Sequence, residues 1–401
     1  MVEATGTGTR RLSAVLRGEG ERVKPLELYF DLVFVLGFTQ CTALMAADPE
    51  WDSLAQGMLV LAVLWWSWGG YAWLTSVVDP EEGAVRIAMF AAMAGLLVVA
   101  LCVPQAFGDR ALAFAIAYGV VRGGQLALFV LASRDDPGLR HSVVTLTVSS
   151  TIGIALLAGA SALDGVEQGA MWGLAIMLDY GGPAIYGVEG WKLVPAHFAE
   201  RHGLVIILAL GESIVALGAG AEAELSAGLI AAATLGIALA SGLWWMYFDV
   251  VSLVTERRLA LAAPGRQRNA LARDSYSYLH YPMVAGIVLV ALGLEETLAH
   301  VDEHLHTETA FALLGGVAIY LLAHVVMRLR NARSLNLQRL LLALMLFALV
   351  PVAREVSALA ALAGVNVLVW LVIAYETRGY GESRYEVRHP HAGPEPQSQS
   401  Q

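Results

Sequence analysis

The sequence predicts an all-α polytopic transmembrane bundle of about twelve helices. Composition is the first reason: 57% of the 401 residues are hydrophobic, 15% are charged and mean hydropathy is +0.61. A soluble chain of this length has a different balance. Length is the second reason, because the apolar runs suit spans of about 20 residues joined by short polar connectors. Periodicity is the third: no alternation of period 2 appears, which disfavours a membrane β-barrel.

In order, the spans are expected near 26–47, 54–78, 85–107, 110–132, 141–161, 167–186, 201–220, 225–250, 273–297, 308–329, 336–352 and 355–376. Residues 1–24 are polar and basic, with Arg10, Arg11, Arg17, Arg22 and Lys24 and no apolar core for cleavage. The first span therefore serves as an uncleaved insertion signal. Basic connectors recur after helix 4 (Arg134, Arg140), helix 8 (Arg257, Arg258, Arg266, Arg268, Arg273) and helix 10 (Arg330, Arg333), and in the tail (Arg378, Arg384, Arg388). The alternate connectors are acidic, near Asp48, Glu222 and Asp302, and only Arg110 and Arg354 lie on that side. This charge pattern places both termini in the cytoplasm and supports an even helix count. Residues 378–401 read as a disordered cytoplasmic tail. The clusters LWWSWGGYAW and LWWMYF read mainly as interface belts and packing surfaces.

The two halves resemble each other. MAGLLVVAL (93–101) matches VAGIVLVAL (284–292), and LWW recurs at 64–66 and 243–245. LVFVLGFTQC (32–41) aligns without gaps to LVIILALGES (204–213), and Gln125 falls opposite His324. Four matches in one order predict two six-helix repeats, over 25–190 and 191–377. Because six is even, the repeats are parallel, an arrangement typical of transporters with a site between repeats. The alignment sets Gln40 opposite Glu212, each about 20 Å from the cytoplasmic end at 1.5 Å per residue.

Charges inside spans are costly unless paired or hydrated, so each is a candidate. Glu212 lies at mid-depth and is read either as a proton carrier or as a structural acid. Its neighbours Gly211 and Ser213 are small enough for close helix approach or local backbone opening. Glu27 and Asp31, four residues apart, share one face of helix 1. Glu27 reads as a cap favoured by the helix dipole. Asp31 is deeper, with a buried partner or a proton role. Gln40 lies about 180° round the helix from Asp31, so helix 1 should be enclosed by protein.

HFAERHG introduces helix 7 with His197, Glu200, Arg201 and His202. Arg201 is too far along the axis to reach Glu212, about 16 Å, and is expected to pair with Asp31. His197 and His202 are read either as titrating groups or as an interfacial cap cluster. Arg122 is mid-span and needs an acidic partner or an anionic ligand; Glu212 or Asp31 is the expected partner. His280 and His324 read as hydrogen-bonded core histidines, without the spacing of a haem site. Asp179 and Asp249 are expected near cytoplasmic helix ends, snorkelling or paired with loop arginines. His300 and His304, at i and i+4, read as a solvated helix end or a metal or pH site.

Absences narrow the function. The only lysines, Lys24 and Lys192, lie in no Walker A sequence and in no span, which argues against ATP binding of that type and against a retinal Schiff base. HExxH, GxSxG and a potassium-channel filter are missing. Cys41 and Cys102 fall in apolar runs and offer neither a disulfide framework nor a thiolate metal site. No catalytic residue, cofactor, metal or nucleic-acid partner is expected.

RVKPLELYFDLVFVLGFTQ, the Trp-rich LWWSWGGYAW and HFAERHGLVIILALGESIVALG resemble the bacterial low temperature requirement A (LtrA) family over about 23–376. Tyr29 stands where the family often has Phe. The resemblance implies a bacterial inner-membrane protein and no particular reaction. Its motifs fall on Glu27, Asp31, Gln40, Glu200, Arg201, His202 and Glu212. The leading reading is a proton-linked secondary transporter or channel-like permease for a small molecule or ion. Glu212 would be the titrating group, with Asp31, Gln40, Arg122 and Glu27 along the pathway. An enzyme acting on a lipid-linked substrate at the cytoplasmic cluster Glu27, Asp31, His197, Glu200 and His202 is the alternative. A non-catalytic sensor or structural protein is the third. The bilayer is the one certain partner, and a homo-oligomer is compatible with the sequence.

Overall fold

The computed structural model describes residues 22–81, 83–186, 188–220, 225–379 and 388. The described residues form twelve long helices, connected by turns and short helical pieces. They are α1 Pro25–Ala46, α2 Trp51–Thr75, α3 Gly83–Cys102, α4 Ala111–Ala132, α5 Pro137–Ala160 and α6 Gly165–Tyr186. The second half holds α7 Pro195–Gly220, α8 Ala227–Leu261, α9 Arg266–Ala299, α10 Thr307–Ala332, α11 Leu337–Ala353 and α12 Ala358–Gly379. Ten of them are long and apolar enough to cross a membrane. The other two are α11, with 17 residues, and α6, which carries Glu167, Gln168, Asp179 and Pro183.

Local chemistry sets the helix starts. Pro25 opens α1, where a missing N–H costs nothing, and Glu27 accepts the Lys24 N–H at 2.9 Å to complete a cap. Ser226 and Asn336 cap α8 and α11 through their side-chain oxygens. Asp136 caps α5 by accepting the Leu139 N–H at 3.2 Å, and Lys192 stands 3.2 Å from its carboxylate. Both contacts hold the Asp136 carboxyl below its usual value. Its contribution to stability is thus present above the ordinary Asp pKa of about 3.9 and lost as the pH falls through the lowered one. An Asp136→Asn chain should show a smaller loss of thermal stability on acidification in detergent.

α9 begins earlier than hydropathy predicts. Its polar first turns are held by pairing rather than by apolar burial: Arg273 and Arg330 both contact Asp274, and Asn269 donates to the carbonyls of Val188 and Trp191. Ala272–Tyr278 then widens to π geometry, a form common at functional sites. It presents Ser277 O to Trp65 Nε1 (2.7 Å) and Ser277 Oγ to Trp73 Nε1 (2.9 Å). At the other end the helix stops at Ala299, so His300 and His304 do not share a helical face. His304 Nδ1 instead bonds the Arg354 carbonyl, and among the described residues no three His, Cys, Asp or Glu side chains form a metal-ligand group.

α2, α9 and α10 form the centre: 78% of the apolar window of each is buried, against 33% for α5 and 39% for α8 and α12. The outer helices turn residues such as Ile87, Val120 and Met177 outward, the pattern of a lipid-facing surface. Helix direction alternates. Lys24 before α1 meets Asp79 after α2, and Asn336 at the start of α11 donates to Glu376 near the end of α12. The first six helices pack as α1–α2, α1–α3, α3–α4, α4–α5, α5–α6 and α2–α6. The last six pack in the corresponding pairs, α7–α8, α7–α9, α9–α10, α10–α11, α11–α12 and α8–α12. The two sets meet chiefly where α1 packs on α7 and α9.

Candidate functional site at the α1–α7 seam

The charged residues of α1 and α7 face each other. Arg201 donates to Asp31 Oδ1 at 2.7 Å and stands 3.3 Å from Glu27. His197 Nε2 donates to the Glu27 carboxylate at 2.9 and 3.1 Å. Trp68 of α2 adds its indole N–H to Asp31 Oδ1 at 2.9 Å, and the Arg201 guanidinium lies over the Trp68 ring. Glu27, Asp31, His197 and Arg201 are each 0% exposed. Spacing explains the arrangement. Glu27 and Asp31 on α1 match His197 and Arg201 on α7, both pairs at i, i+4, so one face meets one face. Asp31 Oδ2 is buried without a hydrogen-bond partner. These four groups hold two acidic protons' worth of negative charge against one permanent cation, so one further proton makes the set neutral.

His202 is on the next face. Its Nδ1–H donates to the Phe198 carbonyl at 2.8 Å, and its buried Nε2 has no partner. Trp68, Tyr276 and His280 surround the ring at centroid distances of 4.9, 5.0 and 5.2 Å. His280 donates to the Ser275 carbonyl and accepts from Tyr247 OH, each at 2.8 Å. It is therefore the hydrogen-bonded core histidine that the sequence suggests.

Glu212 lies further along the seam. It is 1% exposed, and its Oε2 is 2.7 Å from Thr39 Oγ1. Among the described residues no basic side chain reaches it. The alignment singled out Gln40, but its neighbour Thr39 meets Glu212, while Gln40 is only half-buried. One residue along a helix is a turn of about 100°, which alignment of apolar helices does not resolve. Of the two readings of Gly211, close helix approach is not met, since a Cβ there meets nothing within 4 Å, and Ser213 Oγ is buried without a partner.

Arg122 pairs with neither expected acid. Its Nη2 donates to Asp179 Oδ1 at 3.2 Å, its Nη1 to Gln125 Oε1 at 2.5 Å and its Nε to Ser150 Oγ at 3.2 Å, all inside α4–α6. Asp179 is thus an interior partner and does not snorkel, whereas Asp249 does pair with a tail arginine, Arg388. Glu200 is exposed and receives the Val23 N–H, which removes it from the buried cluster. Sequence reasoning missed a third buried group. Arg339 binds Glu376 through two bonds of 2.9 and 2.8 Å and donates to His324 Nδ1 at 2.7 Å. The available signal was Glu376 beneath an apolar helix with an arginine one helix before it.

An all-helical bundle, with ten helices long and apolar enough to cross a membrane and several ion pairs buried between them, defines a multi-pass membrane protein. The chain belongs to the bacterial low temperature requirement A protein (LtrA) family, whose profile matches residues 22–374. It is similar to Uncharacterized protein RA0937 of Rhizobium meliloti (strain 1021), with 29% identity over 367 residues, covering 87% of this chain and 88% of the relative. No solved structure matches it.

Proposed function

We propose that this protein is a proton-linked secondary transporter of the bacterial inner membrane, with both termini cytoplasmic and the α1–α7 seam as its moving contact. One observation carries the reading: the seam gathers three buried acids, Glu27, Asp31 and Glu212, and gives cations to only the first two. Thr39 has one hydroxyl proton but faces two acceptors, Glu212 Oε2 at 2.7 Å and the Val35 carbonyl at 3.1 Å. A neutral Glu212 that donates to Thr39 satisfies both contacts, and loss of its proton would leave an unpaired charge that burial penalises. Proton release is thereby tied to a change at the seam.

The matching neighbour pairs of the two halves support a reading as two six-helix repeats with the seam between them. Phe34 and Phe38, which follow Asp31 on α1, and Val205 and Ile206, which precede Glu212 on α7, are all buried. That packing argues against a standing pore and for a transporter in a closed conformation. The enzymatic alternative loses Glu200 from its cluster.

Proton flux into proteoliposomes, compared between wild type and Glu212→Gln, tests the reading. Wild type is expected to carry a flux driven by the imposed gradient, and the variant to fall to the level of empty vesicles. Equal flux in both, or none in wild type, would overturn it.

A further inference from the structure

At the end of the bundle away from Lys24 and Glu376, the α1–α2 and α9–α10 turns enclose a cavity of about 510 Å³. Asp48, Glu50, Asp52 and Glu308 line it, together with His306. The turn after α9 is held in place, since its Val301 and Glu303 carbonyls accept the Leu359 and Ala358 N–H groups at the start of α12. Asp52 and Glu308 occupy the first turns of α2 and α10, where the helix dipole favours acids. The lining by itself therefore has a structural explanation.

The two acids behind the cavity do not. Glu295 and Glu296 stand in the closing turns of α9, where the dipole opposes negative charge. Both are half-buried. Among the described residues His300, 3.7 Å from Glu296, is the base paired with either of them. Glu295 has no hydrogen-bond or ion-pair partner among those residues, and the charged groups within its electrostatic reach are two further acids, Glu296 and Glu212. Glu296 in turn feels His300 and His306, the latter in the cavity wall. Packing gives no reason for three neighbouring acids here, because like charges oppose one another. Gly220 brings this run up to α7: a Cβ there would lie 2.5 Å from the Glu295 carbonyl, so a side chain would push the two helices apart. Gly220 is eight residues beyond Glu212 on the same helix, about 12 Å along the axis. The side chains of α9 tilt back toward the depth of Glu212.

From this run of acids between an open cavity and the buried Glu212, we infer that Glu295 and Glu296 are proton carriers, and that Glu212 exchanges its proton with the end of the bundle opposite the termini. A proton leaving the Glu212 carboxyl passes to the Glu295 carboxylate, then to Glu296, and from there to water in the cavity. Each carrier returns to its starting charge, and no other bond changes. Water between Glu212 and Glu295 completes the longest step. The cavity acids concentrate protons at the mouth through their summed potential. The inference rests on the proton-linked reading of Glu212 and adds to it the side and route of exchange.

Gradient-driven proton flux in proteoliposomes, compared among wild type, Glu212→Gln, Glu295→Gln and Glu296→Gln, tests it. Glu295→Gln and Glu296→Gln are each expected to lower the flux about a hundredfold, the lower end for losing one positioned proton-transfer group. Both should melt in detergent at or above the wild-type temperature, because each removes an acid from an unfavourable helix end. A lower melting temperature in both would assign the two acids to the fold instead and overturn the inference. Glu50→Cys labelled with a membrane-impermeant maleimide should also lose flux, since Glu50 is exposed in the cavity wall while Cys41 and Cys102 are buried. Flux undiminished by the label would overturn the cavity as the mouth. Flux that disappears in Glu212→Gln but persists in Glu295→Gln and Glu296→Gln would overturn the route and leave the reading of Glu212 standing. No flux in wild type would overturn both.

Discussion

Arg201→Met is expected to destabilise the folded protein by about 3–5 kcal/mol, the cost of removing one partner from a buried ion pair. Arg201 contacts both Asp31 and Glu27, and all three side chains are 0% exposed. Without the guanidinium, Asp31 keeps only the Trp68 N–H and Glu27 keeps His197. Neither carboxylate can reach water without parting α1 from α7. Thermal unfolding in detergent, followed by loss of the monodisperse species, measures the effect. The double variant Arg201→Met, Asp31→Asn should recover a substantial part of the loss, since it removes the stranded charge along with its partner. If the single variant melts like wild type, the seam is not held by this pair.

Gly286→Val is expected to cost about 3 kcal/mol, at the upper end for overpacking a tight core. A Cβ at Gly286 comes within 2.5 Å of the Gly316 carbonyl and 2.9 Å of the Tyr320 nitrogen. The reverse holds too, since a Cβ at Gly316 meets the Gly286 carbonyl at 2.7 Å. Both obstacles are backbone, so no side-chain rotation relieves them, and α9 and α10 must separate at the centre of the bundle. Gly211→Ala is the control. Nothing stands within 4 Å of its Cβ, so the better helix propensity of alanine should leave stability unchanged or raised by about 0.5–1 kcal/mol. The same melting experiment reads both, and equal effects would remove the close-packing account of the α9–α10 contact.

Much of this architecture can be read from the chain because the bilayer imposes one-dimensional rules. A span needs about 20 apolar residues and its backbone must be satisfied within itself, so hydropathy locates the helices. The sequence shows the early helix starts less well. Residues 266–272 are helical although polar, because Asp274, Arg273 and Arg330 satisfy one another across two helices. The ion pair Arg201–Asp31 was legible because each residue sits at a similar depth in the first helix of its half. The partner of Arg122 was not. Asp179 looks like a helix-end residue by position, and only the packing of α4 against α5 and α5 against α6 brings Ser150 and Asp179 onto the guanidinium. Thr39, Trp68 and the Arg339–Glu376 pair escaped for the same reason, since a polar side chain in a span shows that a partner is needed and not which one.

By itself the sequence determined that the chain is a membrane bundle of about twelve helices, and it pointed to α1 and α7 as the helices of the candidate site. Tertiary structure alone decided the pairings: Arg122 with Asp179, Thr39 with Glu212, and Arg339 with Glu376. The physical reason is that depth in the bilayer is fixed by distance along a helix, whereas a partner is fixed by rotation about it. A turn of about 100° per residue exchanges one neighbouring helix for another.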